Sequence, residues 1–219
     1  MIEVNDIRKR YGKKQVLTDI SFRASCGESV AIVGRNGCGK TTLMQIMAGI
    51  EKPDSGSIRY FGHNPFKEKS VFRKFCGYAP QDLPLIEELS VRDNLKLWGA
   101  HRHGHYDRIV DSFQLAEMMK TPVEKLSGGM KRRLSIACAV ASWPPILLLD
   151  EPVTALDLYY KESIEKWLLE YKKMNGIIVM TTHDEKEILG CDRCLLMKEG
   201  RLTELDKKTL NIQQIKALI

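Results

Sequence analysis

"ESVAIVGRNGCGKTT", residues 28–42, decides the fold. The apolar run Val30–Val33 ends at a glycine, which suits a short buried strand. "GKTTLMQIMAGI" then reads as a helix stopped near Gly49. Between them, residues 34–42 fit G-x-x-x-x-G-K-[ST], in the strand–turn–helix context that this pattern requires. Its glycines let the backbone curl until N–H groups point at phosphate oxygens. Gly34, Arg35, Asn36, Gly37, Cys38, Gly39, Lys40, Thr41 and Thr42 are therefore candidates to hold the phosphates of a nucleotide. Lys40 would bridge the β- and γ-phosphates, and the Thr41 hydroxyl would reach Mg2+.

"ILLLDE", residues 146–151, is an apolar strand ending in two acids. Asp150 would sit at the metal edge. Glu151, next in line, could polarise a water for attack on the γ-phosphate. Together the two stretches imply an ATPase or GTPase. "KLSGGMKRRL", residues 125–134, adds a second anion site, because Ser127 followed by Gly128-Gly129 opens a helix with free backbone N–H groups.

The 219 residues suit one domain with a subdomain inserted in it. A hydrophobic content of 43% with 28% charged residues reads as a soluble globular chain. No apolar stretch approaches the ~20 residues of a spanning helix. The start is charged from Glu3 and reads as no signal peptide. The expected location is the cytoplasm, at the membrane's inner face only through a partner. A net charge of +6 is mild, and no nucleic-acid partner is expected. Cys191 and Cys194 form a C-x-x-C without a matching second pair, so they read as ordinary thiols. "HRHGH", His101 to His105, reads as a solvated loop tip, and "MKRR" as an exposed helical face.

Working outward, "IEVNDIRKRYG" and "VLTDISFRA" read as strands joined near Gly12, with further strands at "SIRYFG" and "FCGYAPQ". From 82 to 143 the pattern turns helical. Ser90 and Asp93 cap "VRDNLKLWG", "YDRIVDSFQLAEMM" forms a second helix, and a third runs from the glycine pair to the stop at Pro144-Pro145. The strands "ILLLD", "IIVMTT", "CLLMKEG" and "RLTEL" then alternate with the helices "DLYYKESIEKWLLEYKKM" and "DEKEILG". A final amphipathic helix covers 207–219. The fold class is α/β, with a mainly parallel sheet covered on both faces. Its core spans 1–81 and 144–219, and 82–143 is a helical subdomain.

The chain resembles the ATP-binding subunit of ABC transporters over nearly its whole length. "LSGGMKRR" looks like the family's signature, a pattern far more specific than the phosphate loop. "YAPQ" looks like the Q-loop (Gln81), "LDEPVTALD" like Walker B running into the D-loop (Asp157), "TTHD" like the switch (His183) and "RKRYG" like the A-loop (Tyr11), all in the family's order. The resemblance implies a P-loop NTPase core with an N-terminal antiparallel β subdomain. It implies two subunits paired head to tail, identical or related, each ATP lying between one phosphate loop and the other subunit's signature. Tyr11 would stack on adenine, and Gln81 would touch Mg2+ or the attacking water. His183 would contact the γ-phosphate and orient Glu151. Ser127, Gly128 and Gly129 would meet the γ-phosphate in trans, and Asp157 would line the interface. Arg35, Cys38 and Met130 depart from the common pattern without removing a catalytic group.

The expected function is an ATPase that drives a membrane permease docked near residues 78–100. The chain looks more like the small multidrug or ABC-2-type export ATPases than like the sugar-import ones. The alternative is a soluble ABC ATPase, for instance in cluster assembly, which membrane association would discriminate.

Overall fold

The structure, a computed structural model, describes residues 1–100, 105–153 and 156–207. His101, His103, Thr154, Ala155 and all but the first residue of the expected final helix lie outside them.

Strands β1 (Ile2–Tyr11) and β2 (Lys14–Ala24) form a hairpin through Gly12, as its sequence predicts. β3 is Ser29–Val33, and β4 (Ser55–Tyr60) pairs with β1 to complete an antiparallel sheet ordered β2-β1-β4. Asp6 and Asp19 adopt positive φ where the β1–β2 register slips. Such bulges turn the strands while keeping Val4, Ile7, Leu17 and Ile20 on the core side.

The second sheet adds β5 (Cys76–Ala79), β6 (Ile146–Asp150), β7 (Ile177–Thr181), β8 (Arg193–Lys198) and β9 (Arg201–Leu205). Its order is β5-β6-β7-β3-β8-β9, parallel throughout except for the antiparallel β8–β9 edge. Every residue of β3, β6 and β7 is buried, so these strands read as unbroken apolar runs. Alternate side chains still serve different cores. Leu147, Leu149, Ile178 and Met180 join one cluster, while Ile146, Leu148, Ile177 and Val179 join another. The first cluster lies under the helices between β5 and β6, and the second lies against the antiparallel sheet and α1 (Lys40–Met47).

After α1 come α2 (Ser70–Phe75), α3 (Val91–Leu97), α4 (Tyr106–Ser112), α5 (Gly128–Ala139), α6 (Leu158–Lys173) and α7 (Glu185–Gly190). Ser90 caps α3 by accepting from the Asp93 N–H, as expected. Two helices are shorter than their sequences suggest. α4 ends at Ser112 because Gln114 turns to positive φ. There the Leu115 N–H reaches Val110 O at 2.9 Å and the Gln114 N–H reaches Asp111 O at 3.0 Å, a Schellman stop. Ala116–Met118 continues only as a 3-10 turn. α5 ends at Ala139, short of the prolines, where the chain turns so that Trp143 packs against Trp167 and Tyr171. His105 stacks on the same indole, with ring centroids 4.5 Å apart, and so has an aromatic contact inside the fold.

The reading of "MKRR" as an exposed face is corrected. Arg132 and Arg133 are buried, and only Lys131 reaches outward, to Glu87 at 2.6 Å. Most of α5 is buried, so both arginines enter the interior, where Arg132 donates to backbone carbonyls through all three nitrogens and Arg133 Nη1 donates to Phe113 O and Gln114 O, each at 3.2 Å, while Arg133 Nε has no partner.

Candidate functional site

The carboxyl ends of β5, β6, β7 and β3 lie side by side. In an open α/β sheet that edge is where ligands bind. It delivers Gln81 after β5, Asp150 and Glu151 at the end of β6, His183 after β7 and the glycine-rich loop after β3.

The loop is a cradle that side chains would fill. A Cβ on Gly34 would lie 2.2 Å from the Met197 carbonyl oxygen. One on Gly39, at φ 113°, would press on Leu17 at 2.9 Å and on the Val16 carbonyl at 3.0 Å. Arg35, Asn36 and Gly37 are exposed, Cys38 and Thr42 are half-buried, and Thr41 is exposed in the first turn of α1. The Lys40 ammonium is buried and donates to the Gly34 carbonyl at 2.6 Å, which holds it within the curl of the loop. Packing of Gly39 against the start of β2 also brings the β1–β2 hairpin to this end of the sheet. Tyr11 stands on that hairpin, 46% exposed, with the Lys9 ammonium 5.2 Å from its ring centre.

Asp150 is only 1% exposed. Its Oδ1 accepts the Thr181 hydroxyl, while its buried Oδ2 has no hydrogen-bond partner. A buried carboxylate oxygen without a donor is costly unless a cation meets it, so the donor set fits Mg2+. Glu151 follows in a left-handed conformation, φ 52°. Its N–H donates to Thr181 O at 3.0 Å and to the Thr181 hydroxyl at 3.1 Å. His183 Nε2 stands 3.3 Å from a Glu151 carboxylate oxygen. Burial lowers the His183 pKa, the Lys40 charge lowers it further, and Glu151 opposes both, so the net shift is downward and favours the neutral ring. Thr182, next to His183, donates its hydroxyl to buried Glu187 and accepts the Asp184 N–H at 2.9 Å.

Ser127 and Gly128 are exposed at the start of α5, with the Ser127 hydroxyl accepting the Met130 N–H at 3.3 Å. Among the described residues no hydrogen bond joins Ser127, Gly128 or Gly129 to residues 34–42. Asp157 caps α6, its Oδ1 accepting the Tyr160 N–H at 3.1 Å.

A family model described as ABC transporter matches residues 17–154. The chain belongs to the ABC transporter family. It is an ABC nucleotide-binding domain, with the P-loop fold that its sequence predicts. It is 33% identical to a sulfate/thiosulfate import ATP-binding protein of Mesorhizobium japonicum, a match covering 93% of this chain and 62% of that protein. It is 32% identical to a linearmycin resistance ATP-binding protein of Bacillus subtilis, over 95% of this chain and 70% of the relative. The chain thus spans less than two thirds of the import relative's length. Among solved structures, a dimeric bacterial ABC transporter cassette superposes with a TM-score of 0.85 at 26% identity, covering 96% of this chain and 100% of that one.

Two participants in this nucleotide-binding domain's site lie inside "TTHD" and "LSGGMKRR", in roles that those motifs do not suggest. Thr181 holds both Asp150 and Glu151. Arg132 reaches the site from inside the signature helix. The available signal was the run "LSIACAVA" after the arginines, since a helix apolar all round has no outer face for them.

Proposed function

We propose that this nucleotide-binding domain binds and hydrolyses ATP in a head-to-tail pair and so drives a membrane permease. The observation that carries the reading is the alignment of the cradle, Asp150, Glu151, Gln81 and His183 along one sheet edge. Backbone N–H groups of residues 34–42 and the Lys40 ammonium would bind the β- and γ-phosphates. Tyr11 would cover the adenine. Thr41, Asp150 and Gln81 would hold Mg2+, which when bound neutralises phosphate charge. The Glu151 carboxylate would accept a proton from the attacking water, and neutral His183 beside it would hold the water and the γ-phosphate in register. Ser127, Gly128 and Gly129 would complete the site of the opposite subunit, and Asp157 would face the same interface. ATP would then favour the paired state only through contacts that the pair alone makes, and hydrolysis would remove that preference.

Among the described residues no helix is long and apolar enough to cross a membrane. A groove of about 750 Å³ offers a seat for the permease's cytoplasmic helix. It runs between α1 and the start of the helical block, with Ile50, Phe72, Tyr78, Leu97 and Trp98 on its walls and Arg73 at its side. The import and resistance relatives match about equally well, at 33% and 32% identity.

The test uses purified wild type and Glu151→Gln. Wild type should release phosphate from Mg-ATP. The variant should bind ATP, hydrolyse it about 100-fold or more slowly, and pair on adding ATP. Tagged Glu151→Gln recovered from detergent-solubilised membranes should carry a polytopic apolar protein. No hydrolysis by wild type would overturn the ATPase reading. Hydrolysis with only soluble partners would move the protein to the cytosolic alternative.

A further inference from the structure

Arg132 is 4% exposed and lies in the second turn of α5. A guanidinium has five N–H groups, in a flat fork. Here five carbonyl oxygens surround it. Nε donates to Pro152 O at 3.1 Å. Nη1 donates to Pro80 O at 2.5 Å and to Gln81 O at 3.4 Å. Nη2 donates to Asp150 O and to Glu151 O, the latter at 2.6 Å. All five acceptors belong to the two segments that carry Gln81, Asp150 and Glu151.

Glu151 is a non-glycine residue in left-handed backbone. Such a conformation persists where surrounding bonds over-determine it. Thr181 fixes its N–H side, and Arg132 fixes its carbonyl side. The direction of the Glu151 side chain follows from that pinned peptide. The Gln81 carbonyl is gathered by the same fork, so the two segments are held at a fixed separation.

We infer that Arg132 is a positioning residue for hydrolysis, setting Glu151 and Gln81 through their backbones and joining both to the signature helix. Its donors all go to backbone carbonyls, so its effect passes through Glu151 and Gln81 and falls on the chemical step. This role rests on the ATPase reading and goes beyond it, because the signature's phosphate contacts fall to Ser127, Gly128 and Gly129 and give Arg132 no part. Lysine has three donors on one atom and cannot span acceptors on both segments, and glutamine reaches still fewer.

The experiment compares steady-state hydrolysis and ATP binding by wild type, Arg132→Lys and Arg132→Gln, with thermal melting as the control for folding. The expected result is a fall in kcat of about tenfold or more in Arg132→Lys, and more in Arg132→Gln. The Kd for ATP should stay within about threefold in both, and Arg132→Lys should remain cooperatively folded. Full activity in both variants, or a loss that appears in ATP affinity with kcat preserved, would overturn the positioning role. So would a kcat loss matched by the fraction of unfolded protein in Arg132→Lys. A wild type without hydrolysis would overturn the ATPase reading and this role with it, whereas an active wild type beside fully active variants would overturn this role alone.

Discussion

At the scale of single residues, two buried carboxylates each leave one oxygen unanswered, Asp150 at the site and Glu187 on α7, and the cost of the second can be measured. Glu187 is 4% exposed, takes the Thr182 hydroxyl on one oxygen and leaves the other without a partner. Burial pushes its carboxyl up to about 7, against the Thr182 hydrogen bond. The folded state therefore holds this proton more tightly than the unfolded chain. Stability is fully present below the unfolded carboxyl range near pH 4.5 and is lost as pH rises towards 7. The loss is about 3 kcal/mol at most. Glu187→Gln mimics the neutral acid and can still accept from Thr182. Its melting temperature should exceed that of wild type by several degrees at pH 8 and converge with it near pH 4.5. An advantage that is equal at both pH values would show that ionisation is not the cause.

At the scale of elements, local chemistry explains most boundaries, including one that serves two masters. Asp157 begins α6 as its N-cap, and the same residue is proposed to face the partner subunit. The two roles separate by substitution. Asp157→Asn preserves the cap, whereas Asp157→Ala removes it and should cost about 1 kcal/mol, a melting shift of about 2–4 °C. Both should weaken ATP-dependent pairing in the Glu151→Gln background, as read by light scattering. Equal melting losses in Asn and Ala variants would contradict the cap.

The same local view shows what the sequence made legible. Gly49 announces the end of α1, because glycine enters the left-handed region at little cost, and its N–H reaches Ile46 O at 3.1 Å. Gln114 closes α4 with the same motif but carries no such mark, so the helix reads too long from sequence. α2 is also unannounced. It is one and a half turns whose Phe72 and Phe75 pack on Tyr60 and Phe61, a contact that exists only once β4 is in place. The site's side chains were legible because each belongs to a spaced motif. Thr181 and Arg132 stand inside two of those motifs, but their supporting roles were not legible, since the backbone groups that they bind have no sequence identity.

At the scale of the whole molecule, the sheet divides two kinds of surface. The strand ends gather the polar groups proposed to bind phosphates, while the groove beside α1 has apolar side chains on its walls that no other described residue covers. Leu97 and Trp98, at 61% and 45% exposure, stand at its mouth. Burying side chains of this size against a partner is worth about 1.5–3 kcal/mol each, enough to decide whether a complex survives detergent. Neither residue belongs to the hydrolytic edge. Leu97→Glu would place a charge where an apolar helix is proposed to sit, and Trp98→Ala would remove the larger contact. Each variant, purified alone, should hydrolyse ATP within about twofold of wild type and melt within a few degrees of it. Carried in the Glu151→Gln background and recovered from membranes, each should lose the co-purifying permease. A permease retained at wild-type yield in both variants would remove this groove as its seat, and a collapse of the isolated chain's kcat would mean that the groove belongs to the catalytic fold itself.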